Sequence, residues 1–303
     1  MTHWSRMAEA GSALGINLTF TLYRVLGRRV TLLLLHPIVA WFFVRRDSAR
    51  SASRAYLERL HAAGGFTHPP RAIDSYRHLY AFAVAALDKV AAWMGRVDPS
   101  RIDVPDAATI ESIRESGTGA LIIGSHLGNL EMARGLASLL GKRKITAIVY
   151  TDHAVRFNRI LARANPGFAN SLVQVSHFGP DTAIDLAQRI ERGELLFIVG
   201  DRTPPVENGR TCRVDFLGAP AEFAQGPYIL ASILDCPVYL FFCLADGDRY
   251  RIHFEHFAER ITLPRSRRSE ALHEWTQRYA DRLATHCRIA PMQWFNFYDF
   301  WRP

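Results

Sequence analysis

ALIIGSHLGNLEMARGLASLL, residues 120–140, changes its periodicity halfway along. Residues 120–123 are a short apolar run without alternation, the pattern of a strand buried on both faces. From Asn129 the apolar positions recur at helical spacing, so 129–140 is expected to be a helix with Asn129 as its cap. Ser125 and His126 fall in the turn between the two.

The same alternation continues downstream. Apolar runs at 145–150, 172–175 and 195–199 read as strands, with helices expected at 154–164 and 181–192. Strands at 238–244 and 250–256 and a helix at 270–288 complete the set. Strands alternating with helices give an α/β fold with a mostly parallel central sheet flanked by helices. Ligands of such sheets bind beyond the carboxyl ends of the strands. The residues expected there are Ser125-His126, Thr151-Asp152-His153, Ser176-His177 and Gly200-Asp201-Arg202. Four successive strands thus bring polar groups to one edge, which marks the chain as an enzyme. His253 and Glu255, two apart on a strand, read as an ordinary polar face.

Upstream, residues 1–97 read as an N-terminal helical, membrane-associating region, and 98–303 as the catalytic domain. Residues 30–44 (VTLLLLHPIVAWFFV) carry no formal charge. As a helix they span about 22 Å, short of a ~30 Å hydrocarbon core, and Pro37 is expected to interrupt them. Two accounts fit 13–44: an anchor in one leaflet, or core helices of a soluble domain. The flanking Arg28, Arg29, Arg45, Arg46, Arg50 and Arg54 favour the anchor, with arginines at the headgroups. The late start of the apolar run and the lack of a small-residue cleavage site argue against a signal peptide. Helices are expected at 48–62 and 75–93, separated by Gly64-Gly65 and Pro69-Pro70.

The 303 residues are 49% hydrophobic with a net charge of +8, so a packed fold with an acidic partner is expected. With no nucleic-acid-binding signature, that partner is a membrane surface or an acidic protein rather than nucleic acid. Cys212, Cys236, Cys243 and Cys287 form no C-x-x-C pair and read as buried thiols.

His126 and Glu131 are the sharpest pair. Five residues apart on one helix they would point about 140° from each other. With His126 in the turn and Glu131 in the first helical turn, the carboxylate reaches back and orients the imidazole as a general base. No side-chain nucleophile accompanies them, so the base activates a hydroxyl or amine of the substrate. Backbone N–H groups near Gly128 and Asn129, or an arginine, are candidates for binding an oxyanion. A His and a Glu that merely decorate a βα turn remain an alternative. So does a metal-dependent hydrolase using His126, His153, His177 and Asp201, although no H-x-H, H-x-x-E-H or D-x-H spacing occurs.

His126-Leu-Gly-Asn-Leu-Glu131 resembles the H-x-x-x-x-[DE] motif of glycerolipid acyltransferases, and S-H-x-G-N-x-E resembles its lipid A biosynthesis (lauroyl/myristoyl) branch. Gly200-Asp201-Arg202, Phe216-Leu-Gly-Ala-Pro220 with Gln225-Gly226-Pro227, and Gln293-Trp-Phe295 extend the likeness over most of the chain. The resemblance implies a glycerolipid-acyltransferase-like fold and transfer of a fatty-acyl chain from acyl-carrier protein or acyl-CoA to a hydroxyl or amine of a lipid or glycolipid. It implies no cofactor, no metal and no nucleic acid, and a place on the cytoplasmic face of the bacterial inner membrane. His126 and Glu131 are then catalytic, while Asn129, Arg159, Arg163, Asp201 and Arg202 bind substrate. Arg159 and Arg163 enter because the family carries an arginine in that helix; Asp201 positions the acceptor or Arg202. The family commonly ends W-x-x-R-R-F where this chain reads WFNFYDFW. That is closer to acyltransferases found beside aryl-polyene pigment genes and points to an acceptor other than lipid A.

Overall fold

The computed structural model describes residues 13–93, 99–132, 143–149, 172–174, 179–203 and 210–301. In chain order the strands are β1 (Ile102–Asp103), β2 (Ala120–Gly124), β3 (Ile145–Val149), β4 (Leu172–Gln174), β5 (Leu195–Val199), β6 (Thr211–Phe216), β7 (Ala219–Ala224), β8 (Val238–Asp246) and β9 (Arg249–Ala258). The helices are α1 (Ala13–Arg45), α2 (Asp47–Ala62), α3 (Ala72–Trp93), α4 (Ala107–Ser116), α5 (Pro180–Glu191), α6 (Gly226–Leu234) and α7 (Arg268–Ile289). The helix expected over 154–164, and all but the start of the one expected over 129–140, lie outside the described residues.

β2 lies at the centre of a sheet ordered β1-β9-β8-β2-β5-β3-β4. Strands β4, β3, β5, β2 and β8 run parallel, while β9 pairs antiparallel with β8 and carries β1 parallel to itself. The α/β architecture with a mostly parallel sheet is therefore the observed one. Every residue of β2 is buried, and its two faces enter different cores. Leu121 and Ile123 pack with α7 and the β6–β7 hairpin, whereas Ala120 and Ile122 pack with Ile110 and Ile113 of α4 and Phe254 of β9. Double-sided burial explains the unbroken apolar run.

The β6–β7 hairpin and α4 were not expected from sequence as regular elements. In β6 the alternation of buried Cys212, Val214 and Phe216 with exposed Arg213 and Asp215 is a period-2 signal. Leu217 (φ 53°) and Gly218 (φ 77°) turn the chain into β7. Gln277 of α7 then holds the hairpin through Asp215, accepting from its N–H and donating to its carbonyl, both at 2.9 Å.

Helix α1 runs straight through Pro37, where an interruption was expected; its non-helical residue is Gly27 (φ 72°, ψ 175°). Pro37 forfeits one hydrogen bond in a helix already braced by packing, whereas Gly27 adopts a backbone that other residues avoid. Thr31, Leu35 and Val39 are buried. Arg28 is not left for a headgroup: it forms a two-pronged pair with Asp88 of α3, both contacts at 2.9 Å. Tyr80 adds a bond to the Leu32 carbonyl. Val25, Leu33, Ile38, Trp41 and Val44 of the same helix are exposed. By length and composition Val25–Arg45 is apolar enough to cross a membrane.

The C-terminal segment folds back over this assembly. Trp294 is completely buried against Tyr56, Phe216 and Phe300. His78 of α3 fastens the segment to the helices: Nε2–H donates to the Trp294 carbonyl (2.9 Å), leaving Nδ1 to accept from Ser53 Oγ of α2 (3.0 Å). Burial, only partly offset by the Trp294 bond, lowers the His78 pKa from 6.5 to about 4. Unfolding restores the ordinary value, so the unfolded chain binds the extra proton first as pH falls. Stability should therefore decline between pH 6.5 and 4, by up to about 3 kcal/mol. Denaturant titrations across this range should show a shallower pH dependence in His78→Gln; an unchanged slope would remove His78 as its source.

Candidate active site

The strand order sets the location of the site. Strands β2 and β5 are neighbours, with Gly124 opposite Val199. The next strand after β2 lies beyond β5, and the next parallel strand after β5 lies beyond β2. Adjacent strands whose continuations run in opposite directions across the sheet open a crevice at their carboxyl ends. The residues that leave the two strands there are Ser125-His126 and Gly200-Asp201-Arg202.

These residues meet. His126 Nδ1 lies 2.8 Å from Asp201 Oδ1, and the backbone N–H of His126 donates to Oδ2, also at 2.8 Å. Oδ2 further accepts from Trp294 Nε1 (2.9 Å) and Asn296 Nδ2 (3.1 Å). Four N–H donors thus converge on a carboxylate that is 0% exposed. Burial alone would raise the Asp201 pKa; its interaction and hydrogen bonds with His126 and the charge of Arg202 outweigh it, and the net direction is down.

An ionised carboxylate only accepts, so Nδ1 carries the proton and Nε2 presents its lone pair. The His126 side chain remains 27% exposed, so the ring is not sealed from solvent. Its pKa is lowered first by burial and then by Arg202, with Asp201 opposing. The ring is thereby kept neutral, the form a base requires.

From sequence, Glu131 is the expected partner of the ring; the carboxylate on Nδ1 is instead that of Asp201. Residues 130–132 form a single tight 3-10 turn, and Glu131 Oε1 lies 3.1 Å from Lys89 Nζ of α3. Asn129 does cap this turn: its Oδ1 accepts from the Glu131 N–H (3.2 Å), while Nδ2 donates to the Ala85 carbonyl (3.3 Å). Arg202 donates from Nε to Asn296 Oδ1 at 2.9 Å and so ties the same strand end to the C-terminal segment. Arg159 and Arg163 lie outside the described residues, as do His153 and His177. Among the described residues no three His, Cys, Asp or Glu side chains gather as a metal set.

The turn that carries His126 is stitched on both sides. Leu127 bridges Trp294, Gly128 N–H donates to the Gln293 carbonyl, and Phe295 N–H donates to the His126 carbonyl. On the other side Asn129 N–H donates to the Cys243 carbonyl of β8, and Leu127 N–H to Ser125 Oγ. The N–H groups of Gly128 and Asn129, candidates from sequence for holding an oxyanion, are therefore already committed to carbonyls. Position 128 must be glycine: its φ is 75°, and a Cβ there would lie 2.0 Å from the Cys243 carbonyl oxygen.

Trp294, Asn296 and Lys89 belong to this site although sequence did not single them out. In sequence Gln293-Trp-Phe295 resembles only a family's C-terminal signature, and nothing local connects it to His126. A family model described as bacterial lipid A biosynthesis acyltransferase matches residues 2–303. No curated protein matches the chain.

Proposed function

Starting from the chain's membership of the bacterial lipid A biosynthesis acyltransferase family, we propose that His126 is the general base of a fatty-acyl transfer and Asp201 the group that orients it. Family membership makes the protein an acyl transferase of lipid biosynthesis. The observation carrying the finer reading is the 2.8 Å bond between His126 Nδ1 and the buried Asp201 carboxylate. A hydroxyl or amine of a lipid or glycolipid acceptor gives its proton to Nε2 as its heteroatom attacks the thioester carbonyl. The tetrahedral oxyanion collapses, the C–S bond breaks, and the thiolate leaves with the proton held by the imidazolium. Glu131 stays in the site as the partner of Lys89, and Asn129, Arg202, Arg159 and Arg163 are assigned to substrate binding.

His126→Ala should cost at least ~10²-fold in kcat with the fold intact. Asp201→Asn should cost a similar factor for a different reason. Three donors meet Oδ2 and one meets Oδ1, so the new amide nitrogen takes the Oδ1 side and faces Nδ1. That forces the proton to Nε2 and removes the base. Steady-state rates with folding checked by circular dichroism decide it; near-wild-type activity in either variant would refute the dyad.

The donor is proposed to be acyl-carrier protein, a strongly acidic partner for a chain of net charge +8. The same acyl chain offered on both carriers at equal concentration should turn over faster from the protein carrier. Equal or better turnover from acyl-CoA overturns that choice.

Residues 1–97 are proposed as the membrane-associating region of an enzyme on the cytoplasmic face of the inner membrane. With Thr31, Leu35 and Val39 docked inward, the outer side of α1 offers Leu33, Trp41 and Val44 to lipid. Replacing these three by serine leaves the docked side untouched and should release the protein from anionic vesicles in high salt, where headgroup attraction is screened. Undiminished retention would show that α1 is not the anchor.

A further inference from the structure

Lys89 stands beside the site and has been given no part in the reaction. It follows Asp88, the residue of α3 held by Arg28 of α1 and by the Tyr250 hydroxyl of β9 (2.6 Å). α3 is thus clamped immediately before Lys89, which fixes the root of a flexible side chain. From there Nζ reaches Glu131, whose side chain is 15% exposed, while Lys89 itself is 33% exposed. The N–H groups of residues 126–129 are all committed to protein acceptors. Positive potential at this rim therefore has to come from side chains.

From this geometry we propose that Lys89 is a positioning residue of the transfer reaction, acting with Glu131 as an adjustable charge pair that sets the electrostatic potential at His126. The proposal deepens the reading of His126 as base and rests on it. Among the described residues, the charged groups around the imidazole are Asp201 and Arg202 from the end of β5, Lys89 from α3 and Glu131 from the turn after β2. Tyr279 of α7 and Tyr298 of the C-terminal segment act on Asp201, and burial keeps both uncharged at neutral pH. Two cations from different elements thus act on His126: Arg202, held by Asn296, and the partly exposed Lys89, paired with Glu131.

The signs follow from charge alone. Lys89 disfavours the imidazolium, and Glu131 mutes that effect by neutralising Lys89. Removing the ammonium should raise the titration midpoint of His126; removing the Glu131 charge should lower it. A rise of one unit leaves about tenfold less neutral base at pH values below the midpoint. The acid limb of kcat/KM should accordingly move to higher pH in Lys89→Met and to lower pH in Glu131→Gln. Lys89→Arg should restore the wild-type position.

The test is an NMR titration of the His126 ring in the full chain in detergent, assigned by its loss in His126→Gln, for wild type and these three variants. Opposite displacements in Lys89→Met and Glu131→Gln, with Lys89→Arg at the wild-type midpoint, support the proposal. Unmoved midpoints, or displacements of the same sign, overturn it, since a merely structural ion pair leaves the ring's titration alone. Should Lys89→Met not fold, Glu131→Gln and Lys89→Arg still decide: an unmoved Glu131→Gln or a displaced Lys89→Arg sinks it. The titration needs no turnover. Midpoints that move as expected in a protein with no acyl transfer to any lipid would refute the proposed function and leave the charge pair standing.

Discussion

A carboxylate removed from water must be neutralised or surrounded by donors, and the way Asp201 meets that requirement organises the protein around it. Its donors come from two places far apart in the chain: the ring and backbone of His126, and the C-terminal segment with the indole of Trp294 and the amide of Asn296. None of these reaches Asp201 unless β2 and β5 are adjacent and the C-terminal segment has folded back. The fold and the ionised state of one side chain are therefore mutually dependent. The same arrangement fixes the protonated nitrogen of His126, so the structural device is also the chemical one.

The helices at the N-terminus are joined to this centre through α3. Its Asp88 holds α1 and β9, Lys89 meets Glu131, the Ala85 carbonyl receives Asn129, and His78 receives the Trp294 backbone as its acceptor. One side of α1 is used up in packing on α3 and the other remains apolar and exposed. The exposed apolar face of α1 and the edge that carries His126 are thus joined through a single helix, α3.

The β6–β7 hairpin and α7 brace the same site from the other side of the sheet. Tyr279 of α7 donates to the Gly124 carbonyl at 2.8 Å, one residue before Ser125. Glu255 and its strand face, read from sequence as an ordinary polar surface, are covered by α7 through Arg282 and His286. These bonds tie α7 to β9 at some remove from the catalytic edge.

Periodicity determined much of this protein in advance. Apolar runs of strand length alternating with helical patterns fixed an α/β fold and placed His126 and Asp201 at strand ends, because burial on both faces leaves no other sequence solution for β2 and β5. Local signals were overridden where tertiary contacts supplied more: packing against α3 keeps α1 helical through Pro37 despite that residue's own propensity. Which carboxylate reaches His126 was decided only by tertiary structure. Glu131 is five residues away along the chain and turns toward α3, whereas Asp201 is 75 residues away and comes to 2.8 Å because hydrogen-bonded register sets β5 beside β2. Sequence spacing measures distance along the backbone; a sheet sets distance across it.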